Sequence, residues 1–330
     1  MTAAFSQFGK GSSAPFGAGT GLRSGSLIHP QALMAIKNLE LRAKVVVEGF
    51  WNGLHRSPYH GFSVEFTEYR QYSPGDDLRY LDWRLYARSD RYYLKKFEDE
   101  TNLRCHLLVD NSRSMGYGSL AWNKAQYANT LAATLAYFLS LQGDAVGLLT
   151  FDEQIRDYLP ARHRAGHLRH LMLALEMPGG GAATDLTAPL KRIVKIVNKR
   201  GLMVLISDLL APIQTLEKNL ASLVACGHEV LLFHLLDPAE LAFHFEKATL
   251  FLDIESGRDL YIDPAAARKD YLKKLAAHND GVRAACDNLG IKYHRLATDQ
   301  PLELALFDFL RSRAARRGKV KRGLPTRAKK

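Results

Sequence analysis

Three short pieces of the chain carry oxygen ligands in an order that suits a divalent metal: Asp110-Asn111-Ser112-Arg113-Ser114, Thr184-Asp185 and Ser207-Asp208. The first reads D-x-S-x-S and follows the apolar run Leu107-Leu108-Val109. The third closes the run Leu202-Met203-Val204-Leu205-Ile206. Both aspartates therefore fall just past the end of an expected buried strand, and open α/β sheets bind ligands outside the carboxyl ends of their strands. Carboxylates and hydroxyls are hard donors suited to Mg²⁺, or to Mn²⁺ or Ca²⁺. The expected ligand set is Asp110, Ser112 and Ser114 from one loop, Thr184 from a second and Asp208 from a third. If one aspartate acts only through water, the ion stays electrophilic and accepts one outside ligand, most naturally a partner's carboxylate. No base is coded beside these residues, so the design suits adhesion better than catalysis. The same residue types are the usual helix caps, and a helix is expected after D-x-S-x-S. Capping therefore stands as the alternative for each piece alone, and the metal reading rests on all three in order.

The elements that position these pieces read as alternating strands and helices from Thr101 onward. Strands are expected at Cys105 to Val109, Ala145 to Phe151, Leu202 to Ile206, Val230 to Leu236 and Ile291 to Leu296. Helices are expected over Ala121 to Leu141, Leu168 to Glu176, Leu190 to Asn198, Ile213 to Ala225, Ala265 to Leu289 and Leu302 to Leu310. Strands apolar on both faces, separated by helices, imply an α/β fold with a mostly parallel sheet covered on both sides. Upstream, Pro30 begins a helix with an imperfect apolar face, and residues 51–100 are aromatic-rich and read as a small β unit. The organisation is a disordered leader over 1–28, an N-terminal helix and β-rich unit over 29–100, the α/β domain over 101–310, and a basic disordered tail over 311–330.

Composition narrows the function. The net charge is +11, but the last twenty residues hold ten Lys/Arg and no acid, and residues 1–30 add Lys10 and Arg23. The body between is therefore at about −1, and the basicity belongs mostly to the tail. That tail lacks the interleaved aromatics that stack on bases, which argues against nucleic acid. No apolar run reaches the roughly 18–20 residues of a membrane span, and no signal-peptide core is visible. Cys105, Cys226 and Cys286 are far apart and odd in number, which fits reduced thiols in a cytoplasmic protein. His163, His167 and His170 are spaced to share one helical face, but the interleaved Arg162, Arg164 and Arg169 oppose a bound cation there. The chain carries no phosphate-binding G-x-x-x-x-G-K-[ST] loop, no H-E-x-x-H and no G-x-S-x-G elbow, and it reads as a non-enzyme.

Asp110-x-Ser112-x-Ser114, Thr184 and Asp208 resemble the metal-ion-dependent adhesion site of von Willebrand factor type A domains. Val146-Gly147 and Ile206-Ser207-Asp208 are similar to that family too. The upstream run Phe66-x-x-Tyr69-Arg70-x-Tyr72-x-Pro74-Gly75-Asp76-Asp77-x-Arg79-x-x-Asp82-Trp83-Arg84, with Ala87-Arg88 and Glu100, resembles family 58 of the domains of unknown function. The resemblance covers residues 30–310. It implies a Rossmann-like type A domain with a small β-rich unit, and association with a MoxR-type AAA+ ATPase in chaperone-like assembly or activation. Leu209 stands where many type A domains have glycine. The leading function is a metal-dependent protein–protein interaction module that presents its ion to an acidic partner side chain, with no small-molecule substrate. The alternatives are a metal-dependent phosphoester hydrolase and nucleic-acid binding through the tail.

Overall fold

The computed structural model describes residues 28–55, 68–71, 93–96, 103–177, 187–197, 199–243, 249–252, 259–262 and 264–321. Thr184 and Asp185, the leader, most of the aromatic-rich run and residues 322–330 lie outside them. Along the chain come helices α1 (Pro30–Met34) and α2 (Leu39–His55), then strands β1 (Glu68–Gln71), β2 (Tyr93–Lys96) and β3 (Arg104–Asp110). A 3₁₀ turn (Arg113–Gly116) follows, then α3 (Lys124–Leu141), β4 (Ala145–Phe151), β5 (Ile155–Arg162), α4 (His167–Glu176) and α5 (Thr187–Ile196). The remainder is β6 (Leu202–Ser207), α6 (Ile213–Ala225), β7 (Glu229–Leu236), α7 (Pro238–Ala242), β8 (Thr249–Leu252), β9 (Asp259–Ile262), α8 (Pro264–Asn288), β10 (Lys292–Ala297) and α9 (Leu302–Lys321).

Six strands form the main sheet in the order β10-β7-β6-β3-β4-β5. All neighbours are parallel except β5, which runs antiparallel at one edge. Numbered within this sheet alone, the order is 3-2-1-4-5-6, the doubly wound Rossmann arrangement. The period-2 alternation of strand side chains divides the core between two faces. Leu107, Val109, Val204, Ile206 and Phe233 pack with Val46 and Val47 of α2, Leu131 and Phe138 of α3 and Phe309 of α9. Leu108, Met203, Leu205 and Leu232 face the other way, onto Ile193 of α5, Leu216 and Leu220 of α6 and Val282 of α8. The fold is the expected Rossmann-like α/β class with a mostly parallel sheet covered on both faces, and the chain reverses its direction of strand addition between β3 and β6.

Several boundaries differ from the sequence reading for local reasons. The helix expected from Pro30 is two helices, with Asn38 accepting a hydrogen bond from the Leu41 amide at 2.7 Å to start α2. The helix expected from Ala121 starts at Lys124, because Asn123 and Gln126 form a reciprocal capping box. Strand β5 escaped the reading because its half-buried positions alternate with exposed Arg156 and Tyr158 and include the charged Asp157, so they form no apolar run. Gly147 is required on β4 beside it: a Cβ there would stand 2.7 Å from the Ala161 nitrogen. The helix expected to stop at Leu310 continues to Lys321, so the first half of the basic tail is helical. No described helix is long and apolar enough to cross a membrane.

His106 on β3 gives the fold an acid-sensitive point. It is buried, and its Nδ1 has no hydrogen-bond partner among the described residues. Burial, followed by the nearby His228 and Arg104, pushes it down to about 4. A histidine whose folded pKa lies below its unfolded value binds fewer protons when folded. Its contribution is complete above the ordinary 6.5 and is lost as pH falls toward 4. The loss should reach on the order of 3 kcal/mol by pH 4. In urea titrations across that window His106→Leu should flatten the acid slope relative to wild type, and parallel slopes would contradict this account.

Candidate functional site

The reversal between β3 and β6 puts the topological switch point at the carboxyl ends of two adjacent parallel strands, the usual ligand position in such sheets. Val109 pairs with Ile206 in register, so Asp110 and Ser207 emerge side by side. The Ser207 hydroxyl donates to Asp110 Oδ2 at 2.6 Å, and the Ser112 amide donates to Asp110 Oδ1 at 2.8 Å. Ser112 makes no side-chain cap to the 3₁₀ turn that follows. Instead its Oγ lies 3.1 Å from Ser114 Oγ. The helix beyond is capped by Asn123, so the capping alternative does not account for the D-x-S-x-S hydroxyls.

Asp208 follows Ser207 and is fully buried. Sequence reasoning missed its partner, Lys124, whose Nζ donates to Asp208 Oδ2 at 2.8 Å and to Glu240 Oε1 at 2.7 Å. The Lys124 side chain is completely shielded from solvent. Burial alone would push this lysine down, but Asp208 and Glu240 outweigh that and hold it above its ordinary range, so it is charged. The Glu240 carboxylate also accepts from the Asp237 amide, and Asp237 accepts from the backbone and hydroxyl of Ser119. His234 on β7 uses both ring nitrogens, one with the Asp208 carbonyl and one with the Tyr293 hydroxyl, each at 2.9 Å. Burial drives His234 down to about 4, so it is neutral.

Two carboxylates, Asp208 and Glu240, thus share one ammonium, with Glu240 fixed by the Asp237 amide. Burial first, and then Asp208, raise Asp110 to about 7. Asn111 Oδ1 is buried with no partner among the described residues. Adjacent ligands of an octahedral ion with bonds of ~2.1 Å stand ~3.0 Å apart, and the two serine oxygens are spaced to match. The donor chemistry and the spacing fit a hard divalent cation. Asp110, Ser112 and Ser114 are brought together, and Asp208 is held nearby on the lysine. Thr184 lies outside the described residues. The three histidines do not share a face: His167 is buried against the Val146 carbonyl, whereas His163 precedes the helix and is exposed.

Comparison with known proteins settles the family. Residues 68–281 match the family described as Protein of unknown function DUF58. The chain belongs to the DUF58 family. It is 31% identical over 300 residues to an uncharacterized protein of Mycobacterium tuberculosis, covering 89% of this chain and 93% of that one. An uncharacterized protein of Mycobacterium avium is 32% identical over 140 residues, 42% of this chain and 80% of that one. Among solved structures, the conserved hypothetical protein BatB from Bacteroides thetaiotaomicron aligns at a TM-score of 0.44 and 15% identity. It spans 65% of this chain and 99% of that one. The SpRpn10 VWA domain aligns at 0.36 and 13%, over 61% and 92%.

Leu209, next to Asp208 in this DUF58 chain, has φ of 53° and is fully buried. The left-handed conformation costs a non-glycine residue roughly 1–2 kcal/mol, and burial of the leucine side chain outweighs it. Leu209→Gly should cost about 2 kcal/mol, because lost burial exceeds relieved strain. Leu209→Ala loses the burial and keeps the strain, so it should be about 1 kcal/mol less stable than the glycine variant. Urea denaturation of both variants checks the order, and the reverse order would contradict the strain.

Proposed function

We propose that this DUF58 protein is a protein-interaction module that presents a divalent cation, Mg²⁺ first, to an acidic side chain of its partner. Asp110, Ser112 and Ser114 would hold the ion, with Thr184 completing the set and Asp208 anchoring it from behind. The bound metal would supply a Lewis-acidic position open to one carboxylate. The observation that carries this reading is the hydrogen-bonded pair of serine hydroxyls, 3.1 Å apart, beside a buried aspartate at the switch point between β3 and β6. The rim supports a protein contact, since Leu210 is exposed two residues after Asp208 and Arg113 and Gly116 are exposed beside the serines. A hydrolytic role served by histidine would need a ring nitrogen free to take a proton, and His234, the histidine beside Asp208, has both nitrogens engaged.

The family resemblance points to a MoxR-type AAA+ ATPase as the partner, in protein assembly or activation. The test immobilises the full chain and offers the purified cognate ATPase in Mg²⁺ and in EDTA, with Asp110→Ala in parallel. Retention by the wild type in Mg²⁺ alone is the expected result. Equal retention in all three would move the interface away from the metal.

A further inference from the structure

Resting on the metal reading above, we propose that Lys124 sets the cation affinity of the site: its ammonium holds Asp208 as an outer anchor and leaves Asp110 as the one directly ligating carboxylate. The two aspartates have opposite surroundings. Asp110 takes its hydrogen bonds from neutral donors, the Ser207 hydroxyl and the Ser112 amide. Asp208 already gives one oxygen to a full positive charge at 2.8 Å, and among the described residues its other oxygen meets the Leu210 amide at 3.5 Å. A divalent ion ligated by Asp208 would stand beside that ammonium in a buried site, where repulsion between cations is weakly screened.

The lysine is fixed in place. It is the first residue of α3, after the Asn123 capping box, and its amide donates to the Tyr117 carbonyl at 2.9 Å. Glu240 holds the same ammonium from the other side at 2.7 Å, and Glu240 is itself fixed by the Asp237 amide at 2.7 Å. Withdrawing one aspartate leaves the ion with a single carboxylate and net positive charge. It therefore binds more weakly on its own and needs an anionic outside ligand more strongly. Lys124 is a positioning residue in this scheme: it is shielded from solvent and acts only through Asp208.

The test is an Mn²⁺ titration of the full chain, read by electron paramagnetic resonance of the free ion, with thermal melts to confirm folding. Lys124→Met combined with Glu240→Gln removes one charge of each sign, so the local net charge is unchanged while Asp208 is released. The double variant should bind Mn²⁺ about tenfold more tightly, and adding Asp208→Asn should erase that gain. A folded double variant with wild-type or weaker affinity overturns the proposal. Single variants give a second reading that does not need Lys124 removed. Asp110→Asn should lose at least about 100-fold in affinity and Asp208→Asn about tenfold, and equal losses overturn it. Wild-type protein with no Asp110-dependent Mn²⁺ binding would sink the metal reading itself, a result distinct from either of these.

Discussion

Lys124→Met alone should destabilise the protein by about 3–5 kcal/mol, the usual cost of breaking a buried ion pair from one side. The lysine is shielded from solvent and neutralises Asp208, which is equally buried, and Glu240, which is mostly so. Removing it leaves two carboxylates facing each other where water cannot solvate them, close to Asp110 and Asp237. The hydrophobic replacement recovers some packing but supplies no donor. Replacing Glu240 by glutamine in the same chain removes one of the two orphaned charges and should recover part of the loss. Urea denaturation in EDTA measures both. A loss below about 1 kcal/mol for the single variant would mean that the ammonium is not the centre of this network.

Asp110→Asn should separate stability with metal from stability without it. An ion bound only by the folded protein adds about 2.7 kcal/mol when present at 100 times its Kd. Wild-type protein should therefore melt higher in Mg²⁺ than in EDTA, and the asparagine variant should melt alike in both. In EDTA the order reverses. Burial and Asp208 make the Asp110 carboxylate costly at neutral pH, and the neutral amide removes that cost. The variant should thus be at least as stable as wild type without metal and less stable with it. A Mg²⁺ shift of equal size in both proteins would place the ion elsewhere.

The site was legible where its residues sit at the ends of apolar runs. The Leu107-Leu108-Val109 and Leu202 to Ile206 runs marked two buried strands, and the polar residues that follow them meet because β3 and β6 are neighbours in register. Lys124 was not legible. A lysine at the start of a helix reads as an ordinary solvated residue, and its partners lie 84 and 116 positions away. The one local sign was the Asn123 and Gln126 pair, which places the helix start at Lys124. The histidine spacing misled for a related reason: Gly166, at a φ of 76°, starts the helix late and leaves His163 outside it. Strand β5 was hidden by its charges, since an edge strand with one wet face needs no apolar run.

The central claim is that the switch point between β3 and β6 holds a divalent cation on Asp110, Ser112 and Ser114. The most direct measurement is the stoichiometry of Mn²⁺ binding to the full chain by electron paramagnetic resonance, with wild type and Ser112→Ala/Ser114→Ala side by side. The account predicts one ion per wild-type chain, displaced by excess Mg²⁺, and none on the serine variant. One ion bound equally well by both would contradict it.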